Sequence, residues 1–184
     1  MSKLILLCAP SGTGKTSIAR MLCATDSRFH HVQVLTTRPI RPNEEGRHEK
    51  IQVAHSNLLQ MKDAGELVNY NEKDGVYYGI KRASIAKPLS ERIYPVLEWD
   101  INNLEFWDKY FPVFKVVLKP ISEDKILQSL TDGRDPDGKR KNGVLNELAL
   151  INSGKLQSDM VVSNYDAAII DTVQKIRSRI FKHF

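Results

Sequence analysis

The stretch that decides the fold reads Ala9-Pro10-Ser11-Gly12-Thr13-Gly14-Lys15-Thr16. An apolar run over residues 4–8 precedes it, and a helical pattern over residues 17–22 follows it. A strand, a glycine-rich turn, a Gly-Lys-Thr sequence and a helix in that order are typical of a phosphate-binding loop. Glycine lets the backbone turn so that successive N–H groups converge on one polyphosphate, and the helix N-terminus adds partial positive charge.

This loop predicts a site for ATP and Mg²⁺. We expect Lys15 to reach the β- and γ-phosphates and the Thr16 hydroxyl to bind Mg²⁺. The usual first glycine of the pattern is Ala9 here, which the loop tolerates if Ala9 keeps a negative φ. A turn that merely joins a strand to a helix is the alternative, but residue identity, spacing and flanking pattern all favour phosphate binding. The remaining residues expected to hold the phosphates of ATP are Ser11, Gly12, Thr13 and Gly14.

Composition limits the possible partners. The chain has 184 residues, of which 41% are apolar and 27% charged, so it suits one α/β domain with a substantial core. Its net charge of +5 is compatible with nucleic-acid binding, but no basic stripe interleaved with aromatic residues is present. We therefore expect small-molecule nucleotides as partners rather than nucleic acid, and a monomer or a homodimer.

The cysteines and the first residues indicate a reducing compartment. Cys8 and Cys23 lack metal-ligand spacing and are expected to be reduced core thiols. Residues 1–3 lead directly into the first apolar run, so we expect no signal peptide. No apolar run approaches the ~20 residues of a membrane span, and we expect a cytoplasmic protein without a membrane partner.

A second anion site is predicted after a short strand over residues 32–35. The next segment, residues 36–42, contains two prolines that favour an extended loop. Arg38 and Arg41 in this loop can converge on one phosphate, which guanidinium groups grip bidentately. The alternative is a solvated basic loop. The Tyr78 phenol, at a predicted hairpin, can donate to a phosphate oxygen or pack as an ordinary sheet residue.

Two carboxylates and a basic segment complete the candidate site. Glu98 and Asp100 end a buried strand at alternate positions, so both point to one side of the sheet. The carboxyl ends of parallel strands are where open α/β sheets bind ligands. Residues 131–143 are rich in glycine and cations and are expected to form a mobile lid over the nucleotide phosphates, with a plain solvated linker as the alternative.

The periodicity predicts an α/β fold with a parallel sheet between helices. Predicted strands cover residues 4–8, 32–35, 51–53, 66–70, 92–100, 112–118 and 160–162. Predicted helices cover residues 15–24, 57–64 with Ser56 as N-cap, 80–91 interrupted at Pro88, 102–110, 123–130, 144–152 and 167–181. Residues 26–31 are expected to be irregular.

Over nearly its whole length the chain resembles guanylate kinases. The resemblance rests on the phosphate-binding loop together with Thr36-Thr37-Arg38, Arg41, Glu44, Gly46, Tyr77-Tyr78-Gly79, Glu98-Trp99-Asp100 and Asp159 with Val162 and Asn164. It implies a P-loop kinase with a core at residues 1–31, 91–121 and 144–184. A small mixed α/β insertion for the acceptor nucleoside monophosphate (NMP) occupies residues 32–90, and a lid occupies residues 122–143.

The resemblance also implies roles for individual residues. Lys15, Arg38 and the lid arginines Arg134 and Arg140 are the candidate catalytic residues. Asn164 is expected on the adenine side of ATP. The expected contacts to the acceptor nucleotide are Arg38, Arg41, Asn69, Tyr78, Glu98 and Asp100.

The chain departs from the family pattern in the acceptor pocket. An acidic residue and a phosphate-gripping tyrosine are expected where the chain reads His48-Glu49. A glutamate there would repel phosphate unless it points away or His48 substitutes for the tyrosine. Asn69 replaces a glutamate that reads guanine, and Val34 replaces a serine. A carboxylate accepts two hydrogen bonds from guanine, whereas an amide accepts only through its oxygen, so another base could be admitted.

Three functions compete at this stage. The first is transfer of the ATP γ-phosphate to GMP, dGMP or a related nucleoside monophosphate. The second is a kinase that acts on a phosphorylated sugar such as ribose 1,5-bisphosphate. The third is a non-catalytic guanylate-kinase-like binding module, which the intact Gly-Lys-Thr sequence disfavours.

Overall fold

A computed structural model describes residues 1–47, 49–120, 122–131, 139–164 and 169–182, with the backbone alone at positions 43, 125, 129–131 and 139–140. The strands are β1 (Leu4–Cys8), β2 (Phe29–His31), β3 (Val34–Thr36), β4 (Lys50–Gln52), β5 (Leu67–Lys73), β6 (Val76–Lys81), β7 (Tyr94–Trp99), β8 (Val113–Pro120) and β9 (Met160–Asn164). The helices are α1 (Lys15–Thr25), α2 (His55–Asp63), α3 (Ala83–Ser90), α4 (Glu123–Thr131), α5 (Lys139–Asn152) and α6 (Ile169–Lys182).

A five-stranded parallel sheet forms the centre of the protein, in the order β2-β7-β1-β8-β9. The central strand β1 is buried along its whole length because helices cover both faces of the sheet. On one face α1 and α6 pack against the sheet through Ile18, Leu22 and Ile176. On the other face Ile85 and Trp107 join a second apolar cluster. This parallel sheet flanked by helices confirms the predicted fold class.

A second sheet of four strands has the order β4-β3-β6-β5 and is formed by residues 34–81. Its hairpin β5–β6 turns at Asp74 and Gly75, where φ is 54° and 73°. These paired positive φ values match the two-residue turn that Asp-Gly favours. Gly79 is also required here, because a Cβ on it would lie 2.7 Å from the Leu58 side chain of α2.

The strand register assigns each side chain of the second sheet to a face. Thr36 and Asn71 both pair with Tyr78, and Asn69 pairs with Ile80, two residues further along β6. In the parallel pair β3–β4, Val34 aligns with Lys50 and Thr36 with Gln52. Since side chains alternate between faces along a strand, one face carries a common set of residues. This face, called the Tyr78 face below, carries Val34, Thr36, Lys50, Gln52, Asn69, Asn71, Lys73, Val76, Tyr78 and Ile80.

Several predicted boundaries are wrong for local reasons. Residues 29–31 form the edge strand β2 instead of an irregular segment, because β7 offers them a free strand edge. Helix α2 begins at His55 after Ala54, so Ser56 lies inside the helix. Residue Ile80 extends β6 instead of opening a helix, and Pro88 lies within the last turn of α3, near its C-terminal end.

Two further predictions are wrong in helix type or length. The predicted helix over residues 102–110 is replaced by two short 3₁₀ turns, Ile101–Asn103 and Phe106–Lys109. Helix α5 begins at Lys139, five residues before the predicted start, so the predicted loop over residues 131–143 is partly helical. Among the described helices, none combines the length and the apolar character that a membrane crossing requires.

Candidate active site

The phosphate-binding loop joins β1 to α1 at the carboxyl edge of the core sheet. Gly12 and Gly14 have φ values of 87° and 84°, a conformation that L side chains rarely adopt. Gly14 is the N-cap of α1. Ala9 does not have a positive φ, so it meets the condition for replacing the usual first glycine of the loop. The loop is closed by a hydrogen bond of 3.2 Å from Thr13 N–H to the Pro10 carbonyl. It therefore has the open turn that an anion site needs.

The two loop side chains with predicted chemistry are held in place. Lys15 Nζ donates to the Ala9 carbonyl at 3.1 Å, so the ammonium folds back over the loop. The Thr16 hydroxyl donates to Glu98 Oε2 at 2.7 Å. His31 Nε2 lies 3.6 Å from the other carboxylate oxygen, Glu98 Oε1. Glu98 thus lies against the phosphate-binding loop.

The electrostatics at Glu98 favour the ionised carboxylate. Burial alone would raise the pKa of Glu98, but the nearby His31 ring, the hydrogen bond from Thr16 and the charge on Lys15 outweigh it and lower the pKa below its ordinary value. An ionised carboxylate beside a hydroxyl suits a hard cation such as Mg²⁺. The described residues contain no cluster of three or more His, Cys, Asp or Glu side chains that could hold a metal ion by themselves.

Asn164 lies underneath the loop. Its Nδ2 donates to the Thr13 carbonyl at 2.6 Å, and a Cβ on Gly14 would come within 2.9 Å of the same nitrogen. The side chain is buried, and its Oδ1 has no hydrogen-bond partner among the described atoms. Asn164 therefore supports the loop conformation directly, while its predicted contact with adenine stays a prediction.

The sequence interpretation missed one carboxylate beside the loop. Glu147 of α5 is half-buried, interacts electrostatically with Lys15 and accepts a hydrogen bond from the Ser11 backbone. Burial, followed by the charge on Asp100, raises the pKa of Glu147 above its ordinary value. Asp100 itself is exposed just beyond β7, and its Oδ1 accepts from Asn102 N–H and Nδ2 at 2.9 Å each.

The second anion site is organised by one buried glutamate. Glu44 Oε1 accepts from Arg38 Nη2 at 2.7 Å and from Lys50 Nζ at 2.9 Å. Glu44 Oε2 accepts from Arg41 N–H at 3.1 Å. The loop therefore holds two cationic side chains on a single oxygen and fixes the backbone of a third cationic residue.

This arrangement changes the titration of both main partners. Burial would raise the pKa of Glu44, but its bonds to Arg38, Lys50 and the Arg41 backbone lower the pKa from 4.5 to about 2. The hydrogen bond to Glu44 raises the pKa of Arg38, and the neighbouring Tyr78 hydroxyl adds to the increase. Tyr78 is thus next to Arg38, as a shared phosphate site requires.

The Tyr78 face shows where the candidate base-reading residues lie. Asn69 and Asn71 lie on the same face as Tyr78, and no hydrogen bond of either amide group occurs within the described part of the chain. Val34 packs against the apolar cluster that contains Leu97 and Trp107, so it contributes packing. The described side chains of this face include no carboxylate.

Glu49 points away from the second anion site. Its carboxylate binds Arg20 of α1 through distances of 2.7 and 3.4 Å, and this bidentate pair joins the second sheet to the core. The repulsion anticipated from a glutamate at the phosphate grip is therefore absent. Lys50, the next residue, lies on the Tyr78 face and binds Glu44. Alternation along a strand beginning at residue 50 would have indicated this placement.

Three positions named from the sequence cannot be placed in full. Arg134 and His48 lie outside the described residues. Arg140 belongs to α5, and only its backbone is described.

The two described cysteines, Cys8 and Cys23, are free, and burial raises the pKa of each to about 12, as expected for core thiols.

Comparisons with known proteins agree with this geometry. The family model "Guanylate kinase" matches residues 1–182. The chain is 29% identical over 171 residues to a guanylate kinase of Nitrosomonas europaea, which covers 90% of this chain and 83% of that protein. It is 25% identical over 177 residues to a guanylate kinase of Chlamydia trachomatis serovar D, with 96% and 85% coverage.

A solved structure shows the same fold. The crystal structure of guanylate kinase from Anaplasma phagocytophilum superposes with a TM-score of 0.74 at 18% identity and covers 99% of this chain and 86% of that one. The family model spans almost the whole chain, including both candidate anion sites. This chain belongs to the guanylate kinase family.

Proposed function

We propose that this protein is an ATP-dependent guanylate kinase that transfers the γ-phosphate of ATP to GMP. The observation that carries the proposal is that one chain has two groups of residues suited to binding anions. The phosphate-binding loop with Lys15 and Thr16 suits ATP, and the Arg38–Glu44–Lys50 cluster suits a monophosphate. The relatives named above are guanylate kinases, which supports GMP as the acceptor.

The chain's own residues supply positioning and charge rather than acid–base chemistry. The acceptor phosphate oxygen is already anionic, so it can attack the γ-phosphorus in line without a strong general base. The loop N–H groups and Lys15 would hold the β- and γ-phosphates, while Arg38, Arg41 and Tyr78 would hold the acceptor phosphate. Arg134 and Arg140 are proposed to neutralise charge on the transferring group.

Thr16 and Glu98 are the proposed contacts for Mg²⁺. When bound with ATP, Mg²⁺ neutralises charge on the phosphate oxygens. The Thr16–Glu98 hydrogen bond places a hydroxyl beside a carboxylate, and the lowered pKa of Glu98 keeps that carboxylate ionised next to the loop. A role for Asp100 in contacting the acceptor base remains part of the proposal.

The alternatives receive no support from the comparisons. The family and the relatives described above are guanylate kinases, and the loop residues that non-catalytic modules lose are intact.

Reduced thiols at Cys8 and Cys23 support a cytoplasmic location.

An ADP-release assay tests the proposal. ATP and Mg²⁺ are supplied with each common ribo- and deoxymonophosphate and with ribose 1,5-bisphosphate. We expect turnover with GMP, and a loss of several orders of magnitude in Lys15→Ala. Lys87→Ala, on the surface helix α3, is the matched control and should retain wild-type activity. Turnover of ribose 1,5-bisphosphate alone, or no turnover with Lys15-dependent ATP binding retained, would contradict the proposal.

A further inference from the structure

Lys50 is placed beside the acceptor site by the strand register. It opens β4 and aligns with Val34 of β3, while Gln52 aligns with Thr36, which lies directly opposite Tyr78. Lys50 and Tyr78 therefore lie on the same face of the second sheet. The neighbouring Glu49 turns to Arg20 of the core, so only Lys50 of this pair faces the phosphate-gripping residues.

The contacts of Lys50 bring it next to Arg38. Lys50 Nζ and Arg38 Nη2 donate to the same oxygen, Glu44 Oε1, at 2.9 and 2.7 Å. Two cations on one oxygen lie close together, and a single carboxylate cannot neutralise both. The Lys50 side chain keeps 35% of its exposure, whereas the Glu44 side chain keeps 10%. Its ammonium group is therefore open to a ligand from the solvent side, with donors to spare.

The charge of the cluster matches the expected ligand. Arg38, Arg41 and Lys50 are cationic, and Glu44 is ionised because its pKa is about 2. Arg38 and Lys50 share Glu44, and no further carboxylate pairs with them among the described residues, so one positive charge remains in the cluster. The exposed Arg41, in the same loop, adds a second. A nucleoside monophosphate carries up to two negative charges near neutral pH, since its second pKa is about 6. The cluster is thus electrostatically complementary to a dianionic phosphate.

We propose that Lys50 is a third cationic ligand of the acceptor phosphate, held next to Arg38 by the shared carboxylate of Glu44. The inference rests on the proposed function and adds a binding residue to it. Lys50 supplies a mobile point charge beside the planar guanidinium of Arg38, so the two groups bind the phosphate in different ways. Phosphate binding of this kind adds affinity that does not depend on the base.

A purely structural role for Lys50 makes a different prediction. If Lys50 only satisfies Glu44, then Lys50→Gln, whose amide still donates a hydrogen bond, should bind GMP as the wild type does. If Lys50 binds phosphate through its charge, Lys50→Gln should weaken GMP binding and Lys50→Arg should restore it. The salt dependence of GMP binding separates the two roles further. If one cation is lost from the phosphate site, less electrostatic attraction remains for added salt to screen.

Calorimetric titration with GMP, in the absence of ATP, provides the test. We expect Lys50→Gln to raise the Kd for GMP by about tenfold or more, since a charge-assisted hydrogen bond is worth about 1.5 kcal/mol or more. The Kd for ATP should stay unchanged, and the dependence of the GMP Kd on NaCl should become shallower. Lys50→Arg should bind GMP within about threefold of the wild type, a difference of under 1 kcal/mol. Lys81→Gln is the matched control, because Lys81 lies on the opposite face of the sheet next to Glu66.

Separate outcomes contradict the inference and the proposed function. An equal GMP Kd and an equal salt dependence in Lys50→Gln and the wild type would overturn the role of Lys50 alone. Failure of the unmutated protein to bind any GMP would overturn the proposed function and this inference with it. Thermal unfolding of each variant checks the fold, and the charge-retaining Lys50→Arg variant separates phosphate binding from simple damage to the sheet.

Discussion

Replacing Glu44 by glutamine tests whether one buried carboxylate holds the second anion site together. Glu44 is 9% exposed and accepts three hydrogen bonds, from Arg38, Lys50 and the Arg41 backbone. Glutamine has nearly the same volume but no charge and only one accepting oxygen. The substitution therefore removes the electrostatic part of the cluster while leaving its packing almost intact.

The pKa of Glu44 sets the magnitude of the expected loss. Its decrease from 4.5 to about 2 corresponds to about 3 kcal/mol of stabilisation of the ionised form. Because the remaining cations can turn toward water, we expect Glu44→Gln to lower the free energy of unfolding by about 2 kcal/mol. For a chain of 184 residues this corresponds to a decrease in Tm of about 4–8 °C. The Kd for GMP should rise as well, since Arg38 loses its anchor.

The pH dependence gives a second, independent reading. The folded pKa of Glu44 lies below the unfolded value, so its stabilisation is fully present above about pH 4.5. It is lost as the pH falls toward 2. The Tm difference between wild type and Glu44→Gln should therefore be constant from pH 6 to 7 and should shrink as the pH falls below 4.5.

The matched control for this measurement is Glu66→Gln. Glu66 pairs with Lys81 at 3.7 Å, and about half of its side chain is exposed. Exposed pairs of this kind contribute roughly 0–1 kcal/mol. Equal changes in Tm for the two variants, or a Glu44 effect independent of pH between 7 and 3, would refute the idea that Glu44 organises the site.

Three further substitutions probe the remaining parts of the site. Gly14→Ala should abolish ATP binding and lower stability by about 1–3 kcal/mol, because φ is 84° and the new Cβ would lie 2.9 Å from Asn164 Nδ2. Gly143→Ala, whose new Cβ would have no described atom within 4 Å, is the calorimetric control. Thr16→Val should weaken the Mg²⁺ dependence of ATP binding and reduce turnover by about 100-fold if the hydroxyl binds the metal, whereas Thr25→Val, which loses only a bond to the Met21 carbonyl, should keep full activity in the ADP-release assay. Asn69→Glu should increase the ratio of kcat/KM for GMP over AMP by about tenfold, because a carboxylate accepts two hydrogen bonds from guanine; an unchanged ratio would show that residue 69 does not contact the base.

The parts of the fold that depend on motifs of a few consecutive residues were predictable from the sequence. The phosphate-binding loop was correct to the residue at the start of α1, because Gly14 and Lys15 combine backbone geometry and chemistry in one local motif. The hairpin predicted at Tyr78 is confirmed, and its turn at Asp74 and Gly75 is again a local motif. Strand β2 could not be recognised locally, since its polar sequence becomes a strand only by pairing with β7.

Two contacts of the candidate site could not be predicted from the sequence for a related reason. The role of Glu49 was judged from its position beside phosphate-gripping residues, although the partner that decides its orientation, Arg20, lies 29 residues earlier in the chain. Lys50 was passed over because, although strand alternation can place it on the Tyr78 face, nothing local shows that it binds Glu44. The link from Lys50 to Arg38 runs through Glu44, and such a shared partner is visible only once the loop and β4 are placed together.

The two anion sites differ in how the chain prepares them for a ligand, and this difference bears on specificity. The proposed ATP site is shaped mainly by backbone, through glycine conformations and a helix N-terminus that the buried Asn164 side chain supports. Such a site suits any polyphosphate. The second site is built from side-chain charge around Glu44, next to a sheet face lined by the amides of Asn69 and Asn71. An amide both donates and accepts, so it complements one edge of several bases, whereas a carboxylate favours guanine.

Contacts to the phosphate act equally on every nucleoside monophosphate, so stronger phosphate binding raises affinity without adding discrimination between bases. On this reasoning the double variant Lys50→Gln with Asn69→Glu should lose overall acceptor affinity and gain preference for guanine, and the two effects should separate in a comparison of GMP and AMP binding.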